Sequence, residues 1–323
     1  MTTMKYLSGI STILLLLVFF TQCKEDDSAQ PKGTAQIEIT DGPVDDANVM
    51  GTFVTVTAVK VDGKEISGFS KQTIDLMAYQ HGDTKLLGTT ELEAGTYNDL
   101  TLVLDYSMDA SGNSPGCYVL TTDNMKHSLQ ATSSTTGEVK ANNGSFKVTE
   151  GNTTNVVLDF DLRKAIRYEG APQDDDQYDF VTDGELRSSL RVVAKAESGK
   201  VAGNCEDNFG FAGDKIVVYA YKKGSFNKNT EISGQGESNV QFKGAVTSAV
   251  ADNQGNYTLA FLEAGDYELH FFGYEDGDSD GKMEMKGELE LSLLGNLGID
   301  LNNVSVSANA SVNVSVKVLG LLP

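Results

Sequence analysis

Leu92-Glu93-Ala94-Gly95-Thr96-Tyr97 leads through Asn98-Asp99 into Leu100-Thr101-Leu102-Val103-Leu104-Asp105-Tyr106. In the second piece Leu100, Leu102, Leu104 and Tyr106 recur with period two, which places them on one face of a β-strand. The first piece returns downstream as Leu262-Glu263-Ala264-Gly265-Asp266-Tyr267, again ahead of an alternating run, residues 267–274. In this L-E-A-G-x-Y pattern Gly makes a tight turn. Tyr then opens the next strand, ring inward and hydroxyl within reach of the backbone. One corner used twice predicts two similar β domains.

Alternation governs the rest of the chain from residue 34, and helical period is hard to find. Further strands are expected at 35–40, 52–61, 156–162, 190–196, 216–221, 257–262 and 304–318. Within 52–61 the apolar phase runs Val54, Val56, Ala58 and then slips to Val59 and Val61, which predicts a β-bulge. Val156, Leu158, Phe160 and Leu162 share a face, with Asp159 and Asp161 expected toward solvent. The stretch 304–318 reads as one long strand, or as two with a bend near Asn309. Asp62-Gly63, Asn142-Asn143-Gly144 and Asp252-Asn253-Gln254-Gly255 supply turn residues that tolerate positive φ. The expected class is all-β: two antiparallel β-sandwich domains of immunoglobulin or prealbumin type, placed after a lipoprotein signal peptide. Residues 33–168 form the first domain, 169–189 an acidic linker centred on Asp174-Asp175-Asp176, and 190–323 the second.

The chain has 323 residues, 46 Asp+Glu against 25 Lys+Arg, and a formal charge of −21. Such acidity excludes nucleic acid as a partner, because phosphate contacts need clustered Lys and Arg. It also disfavours electrostatic adsorption to anionic lipid. At the start, Lys5 precedes an apolar run from residue 13 to residue 20, followed by Cys23. That run is too short to span a bilayer, which takes about 20 residues, and it matches the apolar part of a secretory signal. Phe20-Thr21-Gln22-Cys23 resembles a bacterial lipobox. Lys24-Glu25-Asp26-Asp27 resembles the Lys-then-acidic export signal of surface lipoproteins in Bacteroidota-type Gram-negative cells. The resemblance implies a signal peptide over 1–22, acylation (palmitate) at Cys23 and a tether over 23–32. The implied location is the outer membrane, at the cell surface, with the periplasmic face as the alternative.

A second resemblance rests on motifs in order: Thr40-Asp41-Gly42-Pro43-Val44-Asp45-Asp46, Ile74-Asp75-Leu76, Ala94-Gly95-Thr96-Tyr97 and Leu158-Asp159-Phe160-Asp161. Over about residues 33–168 this series resembles the bacterial family called domain of unknown function 4382, with Gly42 where Ala is expected. Residues 199–319 are similar to prealbumin-like, carboxypeptidase-regulatory-like sandwiches. Both resemblances imply architecture, and neither implies an activity.

Asp276-Gly277-Asp278-Ser279-Asp280-Gly281 is the sharpest chemical signal. Asp at alternate positions aims carboxylates at one centre, and Gly281 permits the turn, as in the first half of a calcium loop. On that count the Lys282 carbonyl and Glu284 complete the candidate ligand set. Gly287 stands where an EF-hand needs a bidentate Glu, and both flanks read as strands. The reading is an ordinary Asp/Gly turn at an acidic surface, with a calcium-bound hairpin loop as the alternative. Asp41, Asp45 and Asp46 read as turn residues. No G-x-S-x-G, H-E-x-x-H or phosphate-binding loop occurs, and His81, His127 and His270 are scattered, His270 as an outward strand residue. Cys117 and Cys205 read as separate buried thiols rather than a pair. The sequence therefore describes a lipid-tethered, non-catalytic binding or scaffold module. It requires no cofactor and has Ca²⁺ as its candidate ligand. Its partners are the membrane, through the anchor, and a protein or glycan of unidentified kind. A glycan-binding component of a polysaccharide-uptake system and an adhesin or stalk are the alternatives.

Overall fold

The first strand, Lys32–Gly42, is held on both sides: antiparallel by Lys85–Glu93 and parallel by Thr153–Asp161. The computed structural model describes residues 30–42, 48–131, 137–141, 144–168, 178–279, 283–295 and 298–323. The signal segment, Cys23, Lys24–Asp27, Asp45, Asp46, Asp174–Asp176, Asp280 and Lys282 lie outside these. Leu190–Ala194 completes a four-stranded sheet beside Thr153–Asp161. This sheet packs on a seven-stranded one built around Val49–Val61. Ile37, Ile39, Val54, Val56, Leu102, Leu158 and Phe160 fill the space between them and are fully buried. The expected slip in the central strand is a register shift between Val56 and Ala58 against Leu100–Leu104.

The second sandwich is a nine-stranded sheet curled over one core, with Val201, Leu259, Tyr267, Phe271, Val314 and Val316 inside. It repeats the first at the level of single hydrogen bonds. Gly33 sits opposite Leu92 and Gly199 opposite Leu262. Ile39 sits beside Leu158 and Cys205 beside Val316, both pairs parallel. Thr34 N–H donates to Asn152 O at 2.9 Å, and Lys200 N–H to Ala310 O at 2.9 Å. The repeated sequence corner is one repeated structure: Tyr97 and Tyr267 each donate to the carbonyl of the Glu four residues earlier, both at 2.8 Å. At Gly33 an added Cβ would lie 2.3 Å from Thr149 O, and at Gly199 2.4 Å from Ser307 O. Backbone approaches that closely at both places, so only glycine fits. Gly151 (φ 69°) and Asn309 (φ 57°) make the equivalent turns.

Three expectations change. Residues 304–318 do bend at Asn309, but they form three strands, Val304–Val306, Ser311–Asn313 and Ser315–Leu321. Leu190–Ala194, assigned above to the second domain, belongs to the first sheet, where Leu190, Val192 and Ala194 are buried in its core. The described part of the acidic linker is also part of the first sandwich. Tyr178–Phe180 pairs with Ile166–Tyr168, and Phe180, Val181 and Leu186 are buried there. Alternation tells which side of a strand is apolar, not which sheet receives it.

Residues 31–323 form one compact unit, and the join is dense. Phe261 has φ 53°, an outlier for a bulky residue. It lies at a bulge between Ser198–Glu206 and Asn256–Glu263. The bulge turns its ring onto Val157 and Val193 of the first sheet. Val240, from the loop before Thr247–Val250, is buried within the first core.

The shared corner makes a quantitative expectation. Tyr267 is fully buried and its hydroxyl also accepts from Lys222 Nζ at 2.7 Å. Tyr267→Phe removes the hydroxyl that bonds Glu263 O and Lys222 Nζ, and should cost about 1 kcal/mol by urea unfolding. Tyr97→Phe, at a partly exposed corner, should cost less than half of that. Equal losses at the two sites would contradict the packing difference.

Candidate metal centre and the buried junction

Gly265–Glu275 and Glu284–Leu294 run antiparallel, with Glu275 opposite Glu284 at the end of their ladder. The tip of this hairpin carries the candidate calcium loop. Single carboxylate oxygens of Asp276, Asp278 and Glu284 all lie within 4.8 Å of one another. Among the described residues this is the one such grouping of three or more His, Cys, Asp or Glu. Asp276 N–H donates to Asp214 Oδ2 at 3.0 Å and Gly277 N–H to Glu284 Oε2 at 3.2 Å, which fixes the loop base. Three of the expected ligands are thus brought together, while Asp280 and Lys282 lie outside the described residues. Three carboxylates at this spacing repel one another, and a divalent cation reverses the sign. An all-oxygen set, with Asp276 half-buried and Asp278 and Glu284 exposed, suits Ca²⁺ better than zinc, which favours nitrogen and sulfur.

The larger surprise is where Asp159 and Asp161 go. Both are buried, at 5% exposure each, because the second sandwich covers the face expected to meet solvent. Asp161 Oδ2 accepts from Arg163 at 3.0 Å and from Lys164 at 3.2 Å. Asp159 Oδ2 accepts from Arg191 at 2.5 Å. The same cations reach across: Arg163 donates to the carbonyls of Gln241 (2.7 Å) and Phe242 (3.0 Å). Arg191 donates to Phe261 O at 2.7 Å, and Lys164 to Ala245 O. The Arg163 guanidinium also lies over the Tyr219 ring, 5.4 Å from its centroid. Burial alone would raise the Asp161 carboxyl, but Arg163 and Lys164 override it and hold it below its usual range.

Asp41 completes the cluster from the end of Lys32–Gly42. Its carboxylate accepts from Gln80 Nε2 at 3.2 Å and Leu162 N–H at 3.4 Å. It lines a cavity of about 20 Å³ with Asp159, Thr247 and Ser248, room for a single water. Burial, and then the charges of Asp161 and Asp159, push this carboxyl well above the ordinary range, against the Gln80 bond. From sequence Asp41 reads as a turn residue, and the structure corrects that. The available clue to its burial is the spacing Asp159-x-Asp161 followed by Arg163-Lys164, two acids and two bases within six residues.

Among the described residues the histidines and thiols make no catalytic set. His270 is covered rather than outward: Phe226 stacks on it at 3.6 Å and Glu288 pairs with Nδ1 at 2.9 Å. His127 faces Thr121 at 3.2 Å within a hairpin. Cys117 and Cys205 are free and buried, as expected, and burial pushes each thiol up to about 12. Among the described residues no helix is long and apolar enough to cross a membrane.

The fold and these sites define a tandem of two similar β-sandwiches sharing one buried polar join. Residues 32–182 match the model of the family described as Domain of unknown function (DUF4382). The match covers the first sandwich and extends past residue 168 through the strand Tyr178–Phe180, which the linker was expected to occupy. No curated protein matches the chain. Among solved structures, the Bacillus anthracis TIE protein aligns at 13% identity over 88% of this chain, with a TM-score of 0.19. The chain spans 34% of that protein's length. BcpA, the major pilin subunit of Bacillus cereus, aligns at 9% identity over 89% of this chain and 70% of its own, TM-score 0.21. GBS52, the minor pilin of Streptococcus agalactiae, aligns at 13% identity over 90% and 97%, TM-score 0.21. Likenesses with such TM-scores carry no argument about function.

Two measurements follow from this geometry. Asp41 keeps its proton when folded through a pH range in which the unfolded chain, at about 3.9, releases it. Its contribution to stability is therefore full below the unfolded pKa and lost as pH rises through the folded one. Asp41→Asn should melt higher than the wild type at pH 8, with the gap closing by about pH 4. For the hairpin loop, calcium at a hundredfold excess over Kd stabilises by about 2.7 kcal/mol. Millimolar calcium should raise the melting temperature by several degrees, magnesium should do less, and Asp278→Asn should remove most of the shift. A titration calorimeter registering no heat with calcium would reduce the loop to an acidic turn.

Proposed function

We propose that the chain is a lipid-anchored, surface-exposed lipoprotein of the outer membrane that acts as a non-catalytic binding or scaffold module. One observation carries the scaffold reading: the interior Arg, Lys and Asp side chains are tied up in joining two sandwiches. Arg163, Lys164 and Arg191 each bridge a carboxylate of the first sandwich to backbone carbonyls of the second. A join of this kind resists relative motion, because breaking one contact strands a buried charge. It serves a body that holds its ends at a fixed geometry. The anchor rests on the signal-like run ending at Cys23, and the outward face on Lys24-Glu25-Asp26-Asp27. In this reading the calcium loop sits on the second sandwich as a contact end, and Ca²⁺ orders it.

Cys23→Ser should abolish incorporation of labelled palmitate and move the protein out of the membrane fraction. Protease added to intact cells should digest the wild type. With Lys24, Glu25, Asp26 and Asp27 all changed to Ala, the protein should stay acylated and become protected. A wild type protected from the outset would place the protein on the periplasmic face.

A further inference from the structure

The loop after Ser198–Glu206 carries the most exposed large apolar side chain among the described residues. Phe209 is 72% exposed and Phe211 38%, with ring centroids 5.6 Å apart. Both rings sit on a loop that is tied down. Asp207 Oδ1 accepts from the N–H groups of Phe209 (3.3 Å) and Phe211 (3.1 Å), and Oδ2 from Ala212 (2.7 Å). Ala212, not either Phe, fills the core beneath. The loop closes with Asp214 N–H donating to Tyr274 O at 2.8 Å. Both rings reach water, and neither belongs to the second core.

The base of the loop carries more carboxylates than cations, with Lys317 beside Glu206 at its start and Lys215 at its end. Asp207 holds the loop, Asp214 meets the backbone of Asp276, and Asp278 and Glu284 complete the trio next to it. An aromatic pair with an acidic rim has the composition of a hot spot: an apolar centre that excludes water, and a charged margin that selects the partner.

We infer that Phe209 and Phe211 form a docking knob for a protein partner whose apolar socket is rimmed by Lys or Arg. Charge complementarity selects this occupant. An anionic lipid surface would meet the carboxylates of Asp214, Asp276 and Asp278 with like charge. A second copy of the chain, itself at −21, would do the same. A basic rim gains from each of these carboxylates and steers the encounter.

The test uses the full chain and a fluorescein-labelled synthetic peptide alternating Leu pairs with Arg pairs, read by fluorescence polarisation. EDTA is present throughout, so the calcium reading plays no part in the outcome. The double change Phe209→Ser with Phe211→Ser should weaken binding by at least about tenfold, the loss expected of a hot-spot pair. Its melting temperature should stay at the wild-type value, because neither ring supports the core. Glu138→Gln with Glu150→Gln, on the first sandwich, should leave the affinity unchanged. Failure of the peptide to bind, or equal affinity with and without the two rings, overturns the proposal. So does Phe-dependent binding to vesicles of phosphatidylcholine or phosphatidylglycerol, which would assign the knob to a membrane.

Discussion

Two aspartates on one strand face, Asp159 and Asp161, are removed from water by a neighbouring domain. Ionised carboxylates in such a place are stable only when cations and hydrogen bonds replace their hydration. Arg163, Lys164 and Arg191 do this, and each also donates to at least one backbone carbonyl of the opposite sandwich. Each cation therefore has partners on either side. The positions of Phe261 against Val157 and Val193, and of Val240 within the first core, are compatible only with this seating. A buried ion network is a poor source of net stability but a demanding one in geometry. It admits one arrangement of the two sandwiches and penalises the rest.

The duplication shows which parts of a sandwich are fixed by physics and which are open to change. The glycine against a carbonyl, the tyrosine bonded four residues back and the left-handed turn are kept in both copies. The connections differ. In the second copy the excursion between Lys215–Lys222 and Thr247–Val250 covers an outer aromatic cluster of Tyr219, Tyr221, Phe242 and Phe272. That excursion also delivers Gln241, Phe242 and Ala245 to the junction. Turn and corner geometry is local and so survives divergence, whereas loops carry what distinguishes one copy from the other.

Much of this was legible in the sequence. Period two marks most of the long strands but neither Lys85–Glu93 nor Ser198–Glu206, the phase slip after Ala58 marks a bulge, and the L-E-A-G-x-Y pair marks the repeat. The spacing of Asp276, Asp278 and Glu284 did bring three carboxylates together. What could not be read was tertiary. Asp159 and Asp161 alternate with core residues just as solvent-facing acids do, and only the covering domain reverses their environment. Leu190–Ala194 has the pattern of any sandwich strand, so its partner was invisible. Nothing in the sequence marks Phe209 and Phe211 as exposed, since exposure depends on which neighbour occupies the core position, here Ala212.

The second sandwich opens with Ser198–Glu206 and closes with Ser311–Asn313 and Ser315–Leu321, which lie beside that opening strand and point the same way. Its entry and exit are therefore at opposite ends of a parallel ladder, and tension between them loads those hydrogen bonds together, in shear. The first sandwich has a parallel ladder of its own, from Thr34 to Gly42. There, however, the chain turns back along Leu190–Ala194, antiparallel to Thr153–Asp161, and leaves at the end where it entered. Tension between Lys32 and Ala194 peels the edge of that sheet, opening its bonds one after another. Under traction the two sandwiches are mechanically unequal, and the first is the one to yield first.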